Sequence, residues 1–462
     1  LTTISSDNVR NPTSTLAKFA SDLTFDKVPA ETVAFSKRIV LDTTGALLAA
    51  SSPQYPAGEI LSEFIKRLGG VEESTVIGKG FKSSCVHAAL VNATMGYFCD
   101  MEPHHVEAIT HTPAVIVPTC LAVGEREQVS GAEFLLSVIL GVDVACRVSL
   151  ALDARKLYAR GFHPTAIAGS FGAAVAAGRL LGLRQEALEI AIGLAGNQAS
   201  GLLAWKQDHT ETSRPFNPGI AARNGVTAAL LARMGFGGPP DIFGGKYNVF
   251  DAYSDGVPNR EALVADLGTR FAITEHAFKL YACCSFLHPG LDGFLRILTD
   301  EALSMQKIDQ VTLRFPAAGA ELIDGLELRS HSAQYVFAVA ASRRRVLFDD
   351  ILHDRRSEPA IADFIQRVTV VGDQVLDPDF PDRYTSIVEV KTTDGRRFKA
   401  RVETAKGTPQ NPLTRREVEE KFLALSRTVI DDATAKAITE LVGNIEALPN
   451  IGELGDRLRL SK

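Results

Sequence analysis

Cysteine is scarce in this chain, with six in 462 residues: Cys85, Cys99, Cys120, Cys146, Cys283 and Cys284. No two of them form a CxxC pair, which excludes a disulfide scaffold and a zinc ribbon. The vicinal Cys283 and Cys284 read as two reduced, packed thiols. Positive charge is not in excess either: Lys and Arg number 49 against 55 Asp and Glu, a formal net charge of −6. That balance argues against nucleic acid and anionic membranes as partners. No run approaches the ~20 apolar residues of a membrane span, and tracts such as Ala114–Val123 are interrupted by proline. A basic segment leading into an apolar one is missing at the start, so no signal peptide is expected and a cytoplasmic protein is. The phosphate-cradling signatures fail as well. Gly78-Lys79-Gly80 lacks the third glycine of a dinucleotide fingerprint, and Gly245-Lys246 runs into Tyr247 where a P-loop needs Ser or Thr. HExxH and GxSxG do not occur.

What is present is ordinary globular material, 45% hydrophobic and 23% charged, which excludes wholesale disorder. From about 13 to 276 the pattern is mostly helical. Val33, Val40 and Leu47 recur every seven residues, and the segments 132–147, 166–183 and 219–234 are apolar nearly all round, as helices inside a multi-helix body are. Near 277 the character changes. Val311, Leu313 and Phe315 alternate with polar residues as in a half-buried strand, and Val368, Val370 and Val371 suggest another. Thr393-Asp394-Gly395 between 387–391 and 398–402 signals a hairpin. After a linker at 407–412, Thr414 and Glu417 form a capping box ahead of Val418, Phe422 and Leu425. The reading is a mainly α protein: a large all-helical domain built from both chain ends (1–276 and 410–462), with a smaller α+β lid domain inserted at 277–409.

Histidines and cations occupy unusual settings. Asp100, Glu102, His104, His105 and His111 crowd into a dozen residues before Thr112-Pro113 and an apolar helix. His163 precedes Pro164-Thr165 and a Gly/Ala-rich helix, Arg214 lies in Ser-Arg-Pro-Phe-Asn217, and Lys279 lies at the proposed domain junction. A helix start offers partial positive charge and N–H donors to a carboxylate, and a histidine there can move protons near neutral pH. Arginine supplies a planar fork for a carboxylate, and lysine a point charge that can also move a proton. The Asp/Glu/His cluster contains metal-ligand types, but its spacing matches no standard site, so no metal is expected.

Taken in order, these segments resemble the MmgE/PrpD family over essentially the whole chain. The resemblance rests on Leu41-Asp42-Thr43-Thr44-Gly45, on Asn92 leading to Asp100 and to Thr110-His111-Thr112-Pro113, and on Gly161-Phe162-His163-Pro164-Thr165. It continues through Arg214-Pro215-Phe216-Asn217-Pro218-Gly219, Lys279-Leu280-Tyr281-Ala282-Cys283-Cys284 and Ser332-Ala333-Gln334-Tyr335. It implies a homodimer whose active site needs no cofactor and which moves a proton next to a carboxylate of a small di- or tricarboxylate. Asp100, His111, His163, Lys279 and Tyr335 match family active-site positions. The chain departs from the family pattern in three places. Asp100-Met101-Glu102-Pro103-His104-His105 replaces an Asp-rich stretch, Arg214 stands for a lysine, and Asn217 stands for a histidine. Arginine keeps the charge but cannot serve as a base.

The expected activity is therefore that of a cofactor-independent lyase of dehydratase type, acting on a small hydroxylated polycarboxylate. His111 or His163 would take the proton, the other histidine or Lys279 would protonate the leaving hydroxyl, and Asp100 would orient a histidine. Arg214, Tyr335, His104 and Asn217 would bind substrate. Epimerisation or decarboxylation of a related acid, and a non-catalytic role binding a carboxylate or a protein, are the alternatives.

Overall fold

The computed structural model describes residues 11–97, 100–208, 210, 212–380 and 383–460, so Cys99 lies outside the described residues. The chain is mainly α, 60% helix against 9% strand. It divides into two compact units. One takes Leu1–Phe98, Glu102–His276 and Arg415–Lys462, and the other Cys99–Met101 and Ala277–Thr414.

The first unit is helical. The helices that carry its core are α1 (Ala30–Ala50), α2 (Cys85–Gly96), α3 (Thr112–Glu127), α4 (Gly131–Ala151), α5 (Pro164–Leu180), α6 (Ser213–Arg233) and α7 (Arg415–Ser426). Helix α5 packs against α3, α4 and α6, and its small residues make this possible. A Cβ on Gly172 would come within 2.3 Å of the Gly141 carbonyl oxygen, and one on Gly225 within 2.5 Å of the Ala174 nitrogen. At both crossings the backbones are close enough that no larger residue fits. Helix α7 begins where the capping box places it and lays Val418, Phe422 and Leu425, all buried, toward the core. It docks on α1, where Phe422 touches Gly45 and Lys421 reaches the buried carboxylate of Asp42 at 2.8 Å.

Helix α4 corrects one sequence expectation. It has 21 residues and a mean hydropathy of 2.0 over an 18-residue window, long and apolar enough to cross a membrane by length and composition. Its charges disguise this in the sequence, but Arg147 and Asp143 pair at 2.6 Å one turn apart. In the fold 94% of that window is buried, as in the core helix of a globular body. The unit also holds a short hairpin, Ser74–Val76 with Phe81–Ser83, whose turn uses Gly78 and Gly80 at positive φ. The Gly-Lys-Gly tripeptide is therefore a turn.

The second unit is α+β. Strands β1 (Ile308–Pro316), β2 (Val368–Asp373), β3 (Ser386–Thr392) and β4 (Arg397–Val402) form one sheet in the order β2-β1-β3-β4. The β1–β2 pair is parallel and the other two are antiparallel. Val311, Leu313 and Phe315 alternate inward at 0% exposure, as the period of two requires. Gly395 at φ +87° closes the β3–β4 hairpin. Helix His288–Asp300 packs on β3 and β4, and helix Ala333–Arg343 packs beside it.

Candidate functional site

In the first unit, His111 and His163 occupy equivalent places. Each is the residue before a helix with proline in its first turn, α3 for His111 and α5 for His163. Neither ring caps its own helix, so both are turned to other partners. The helix starts are tied together, because the His111 backbone N–H donates to Thr165 Oγ1 at 3.1 Å.

His111 Nδ1 lies 2.6 Å from Glu102 Oε1, and the Glu102 side chain is fully buried. A carboxylate this close favours the proton on Nδ1, which leaves Nε2 as the basic nitrogen. The His104 ring stacks on His111 with centroids 5.5 Å apart and planes at 25°. Glu102 and His111 also present an oxygen and a nitrogen of the kinds a divalent cation takes.

Tyr97 joins the parts. Its ring meets His111 edge-on at 4.8 Å, its hydroxyl lies 3.1 Å from His163 Nε2, and the Arg214 guanidinium sits 5.1 Å from its centroid. The same guanidinium is 5.7 Å from the ring of Trp205, the one tryptophan in the chain. Arg214 is 2% exposed. Buried among aromatic faces, its charge is well placed to attract an anion. Asn217, one turn further along α6, places its amide nitrogen 3.2 Å from both His163 Nδ1 and the Leu202 carbonyl oxygen.

The loop that delivers His111 is stiff. His105 and Thr110 exchange backbone hydrogen bonds of 2.8 and 3.3 Å, and the Ala108 N–H donates to His105 Nδ1 at 3.1 Å. Ile109 takes φ +49° inside it, a costly conformation for a β-branched residue that this surrounding net holds in place. His105 Nε2 lies 3.2 Å from Glu275. Burial raises the Glu275 carboxyl, but hydrogen bonds from His105 and Arg270 outweigh it and bring the group down to about 2. His276, hydrogen-bonded to Thr112 Oγ1 at 2.9 Å, is pushed down to about 3, first by burial and then by His105. Asp42 is raised to about 6 by burial, against the pull of Lys421 and with a push from Glu102.

In the second unit, Lys279 Nζ lies 2.9 Å from Asp100 Oδ1, with both side chains buried and Asp100 at φ +54°. The Tyr335 hydroxyl donates to the Asp350 carbonyl and accepts from the Arg355 N–H at 3.2 Å, so it is engaged by backbone within its own unit. Of the expected site residues, the first unit thus gathers His104, His111, His163, Arg214 and Asn217, and the second pairs Asp100 with Lys279. Glu102 was noted for its type, not for its partner. Tyr97 and Trp205 were missed, because nothing in their local sequence marks them and their role comes from long-range packing. The solitary tryptophan was the one available signal.

Two imidazoles and a buried guanidinium around one tyrosine ring, with a carboxylate behind one imidazole, are groups of the kind that bind an acid and move its protons. Comparison with known proteins gives the kind of protein that carries them. Residues 14–262 match the MmgE/PrpD N-terminal domain and residues 281–447 the MmgE/PrpD C-terminal domain. The chain belongs to the MmgE/PrpD family. It is 26% identical to cis-aconitate decarboxylase of Aspergillus terreus over 469 aligned residues, covering 96% of this chain and 94% of that protein. The cis-aconitate decarboxylase-like protein oryM of Aspergillus oryzae is also 26% identical, with 96% of each chain covered. Cis-aconitate decarboxylase of Homo sapiens is 25% identical over 92% of this chain and 89% of its own.

Proposed function

We propose that this chain is a cofactor-independent lyase acting on a small di- or tricarboxylate. The observation that carries this is the 2.6 Å contact between His111 and the fully buried Glu102, in a site that also holds the buried Arg214. Arg214 takes a substrate carboxylate and steadies the negative charge that develops on it when the neighbouring C–H proton leaves. His111 Nε2 takes that proton, and Glu102 stabilises the imidazolium that forms. In the dehydratase form, the C–O bond to the adjacent hydroxyl then breaks, an alkene forms, and the hydroxyl departs as water after receiving a proton.

A second reading is decarboxylation, favoured by the cis-aconitate decarboxylases among the relatives. There the C–C bond to a carboxylate breaks, neutral carbon dioxide leaves, the bonding electron pair stays on the carbon, and imidazolium at His111 protonates that carbon. The proposal also takes in the homodimer that the resemblance implies and a cytoplasmic setting, which light scattering and cell fractionation test.

The deciding experiment incubates the protein with a panel of di- and tricarboxylates in deuterium oxide and reads the mixture by NMR. New alkene signals support dehydration, and loss of a carboxylate with deuterium incorporation supports decarboxylation. Exchange of the substrate proton alone would mean an epimerase and would overturn the lyase assignment, as would ligand binding with no turnover.

A further inference from the structure

The amide of Asn217 settles which nitrogen of His163 carries the proton. The Leu202 carbonyl oxygen can accept hydrogen bonds and not donate them. The Asn217 group 3.2 Å from it is therefore the NH2. That same nitrogen lies 3.2 Å from His163 Nδ1, so the imidazole is offered a donor there. Turning the amide over would set its oxygen against the Leu202 oxygen, two acceptors facing each other. With Nδ1 accepting, a neutral ring holds its proton on Nε2, and Nε2 then donates to the Tyr97 oxygen at 3.1 Å. The hydroxyl hydrogen of Tyr97 is left pointing away from His163.

The surrounding backbone makes this arrangement rigid. The His163 N–H donates to the Gly201 carbonyl at 3.0 Å, and the Leu203 N–H donates to the Gly161 carbonyl at 2.8 Å. Phe162 and Leu202 form the bridge between these two bonds. The carbonyl that orients Asn217 and the backbone that carries the His163 ring are therefore parts of one hydrogen-bonded ladder. Gly201 sits at φ +152°, and a Cβ there would come within 2.5 Å of the Ala166 Cβ, so the ladder lies tightly on the first turn of α5.

We propose that Asn217 is a positioning residue that locks His163 in the neutral form with its proton on Nε2. This withdraws His163 from proton transfer and makes it a fixed donor to Tyr97. An added proton on Nδ1 would meet the Asn217 N–H head-on. What the substrate encounters on this side is the Tyr97 hydroxyl hydrogen, a neutral donor suited to a carboxylate oxygen or a departing hydroxyl. Proton abstraction falls to His111, and two opposed imidazole bases, which epimerisation would use, are not both in play. In this last respect the inference deepens the lyase reading and rests on it.

The test is 15N NMR of the full chain labelled at histidine side chains, with His163 assigned by the signals that His163→Gln removes. The expected pattern is an unprotonated Nδ1 and a protonated Nε2, unchanged from about pH 6 to 8, the range where a free histidine titrates. A protonated Nδ1, or a ring that becomes cationic across that range, would overturn the proposal on the unmodified protein alone. Asn217→Asp replaces the donor by an acceptor and is expected to move the proton to Nδ1. An unaltered His163 pattern in that variant would show that Asn217 does not set it. The spectrum reports the ring whether or not any carboxylate is turned over, so failure of the lyase reading and failure of this one are separate results.

Discussion

Lys421→Met removes the cation from a pair buried on both sides, since the Asp42 and Lys421 side chains are 0% and 6% exposed. Nζ lies 2.8 and 3.0 Å from the two carboxylate oxygens. Burial holds the Asp42 carboxyl up at about 6 against an ordinary 3.8, even with Lys421 in contact. The folded chain thus binds this proton more tightly than the unfolded chain does. The group favours folding below about pH 4, and the advantage, about 3 kcal/mol for a gap of that size, is lost as pH rises through about 6. Without Lys421 only burial and the repulsion from Glu102 remain. Breaking a buried pair from one side costs about 3–5 kcal/mol, and that is the loss expected at pH 8 in urea unfolding followed by circular dichroism. Toward pH 5 Asp42 is neutral in both proteins, so the difference should shrink. Asp42→Leu combined with Lys421→Met removes both charges and should recover most of the loss. A single variant within about 1 kcal/mol of the parent at pH 8 would refute the reasoning, as would a gap that widens on acidification.

Three further expectations follow from the geometry. Glu102→Gln keeps the shape but removes the charge behind His111, so kcat on whichever carboxylate is turned over should fall ~10²–10⁴-fold while KM changes little. Arg214→Met should instead lower kcat/KM by roughly 10–150-fold, the value of about 1.5–3 kcal/mol for hydrogen bonding to a charged group, mainly through KM; an unchanged KM would separate Arg214 from substrate binding. Burial holds the Cys120 and Cys283 thiols well above their ordinary value and pushes Cys146 up to about 12, so these three should resist a thiol reagent at pH 8 until urea unfolds the chain, and fast labelling of any of them would contradict the packing.

What was legible in the sequence was whatever local chemistry dictates. Proline in the first turn and an apolar run behind it place His111 and His163 at helix starts, whatever the rest of the chain does. Alternation at 311, 313 and 315 and the Asp394-Gly395 turn likewise specify β1 and the β3–β4 hairpin locally. The hairpin at 74–83 was not, because strands of three residues are too short to show a period. Tyr97 and Trp205 were illegible for a different reason. Their positions around Arg214 depend on where α2, α5 and α6 meet, and those crossings are set by the small residues Gly219, against α2, and Gly225, against α5. Glu102 shows the intermediate case, a residue type visible in sequence whose choice of His111 as partner is a property of the folded loop.

Helix α4 has a consequence for how the chain is made. At 21 residues with a hydropathy of 2.0, it emerges from the ribosome before α5, against which it packs most extensively. Translation at ~5–20 residues per second leaves it a few seconds without that cover. During that interval the nascent segment has, by length and composition, the apolarity of a membrane-crossing helix, and its apolar surface stays uncovered by α5 until residue 180 is out. Chains interrupted between 151 and 180 would expose that surface permanently, so shortened products ending there should aggregate or be degraded while those ending beyond α6 should survive better.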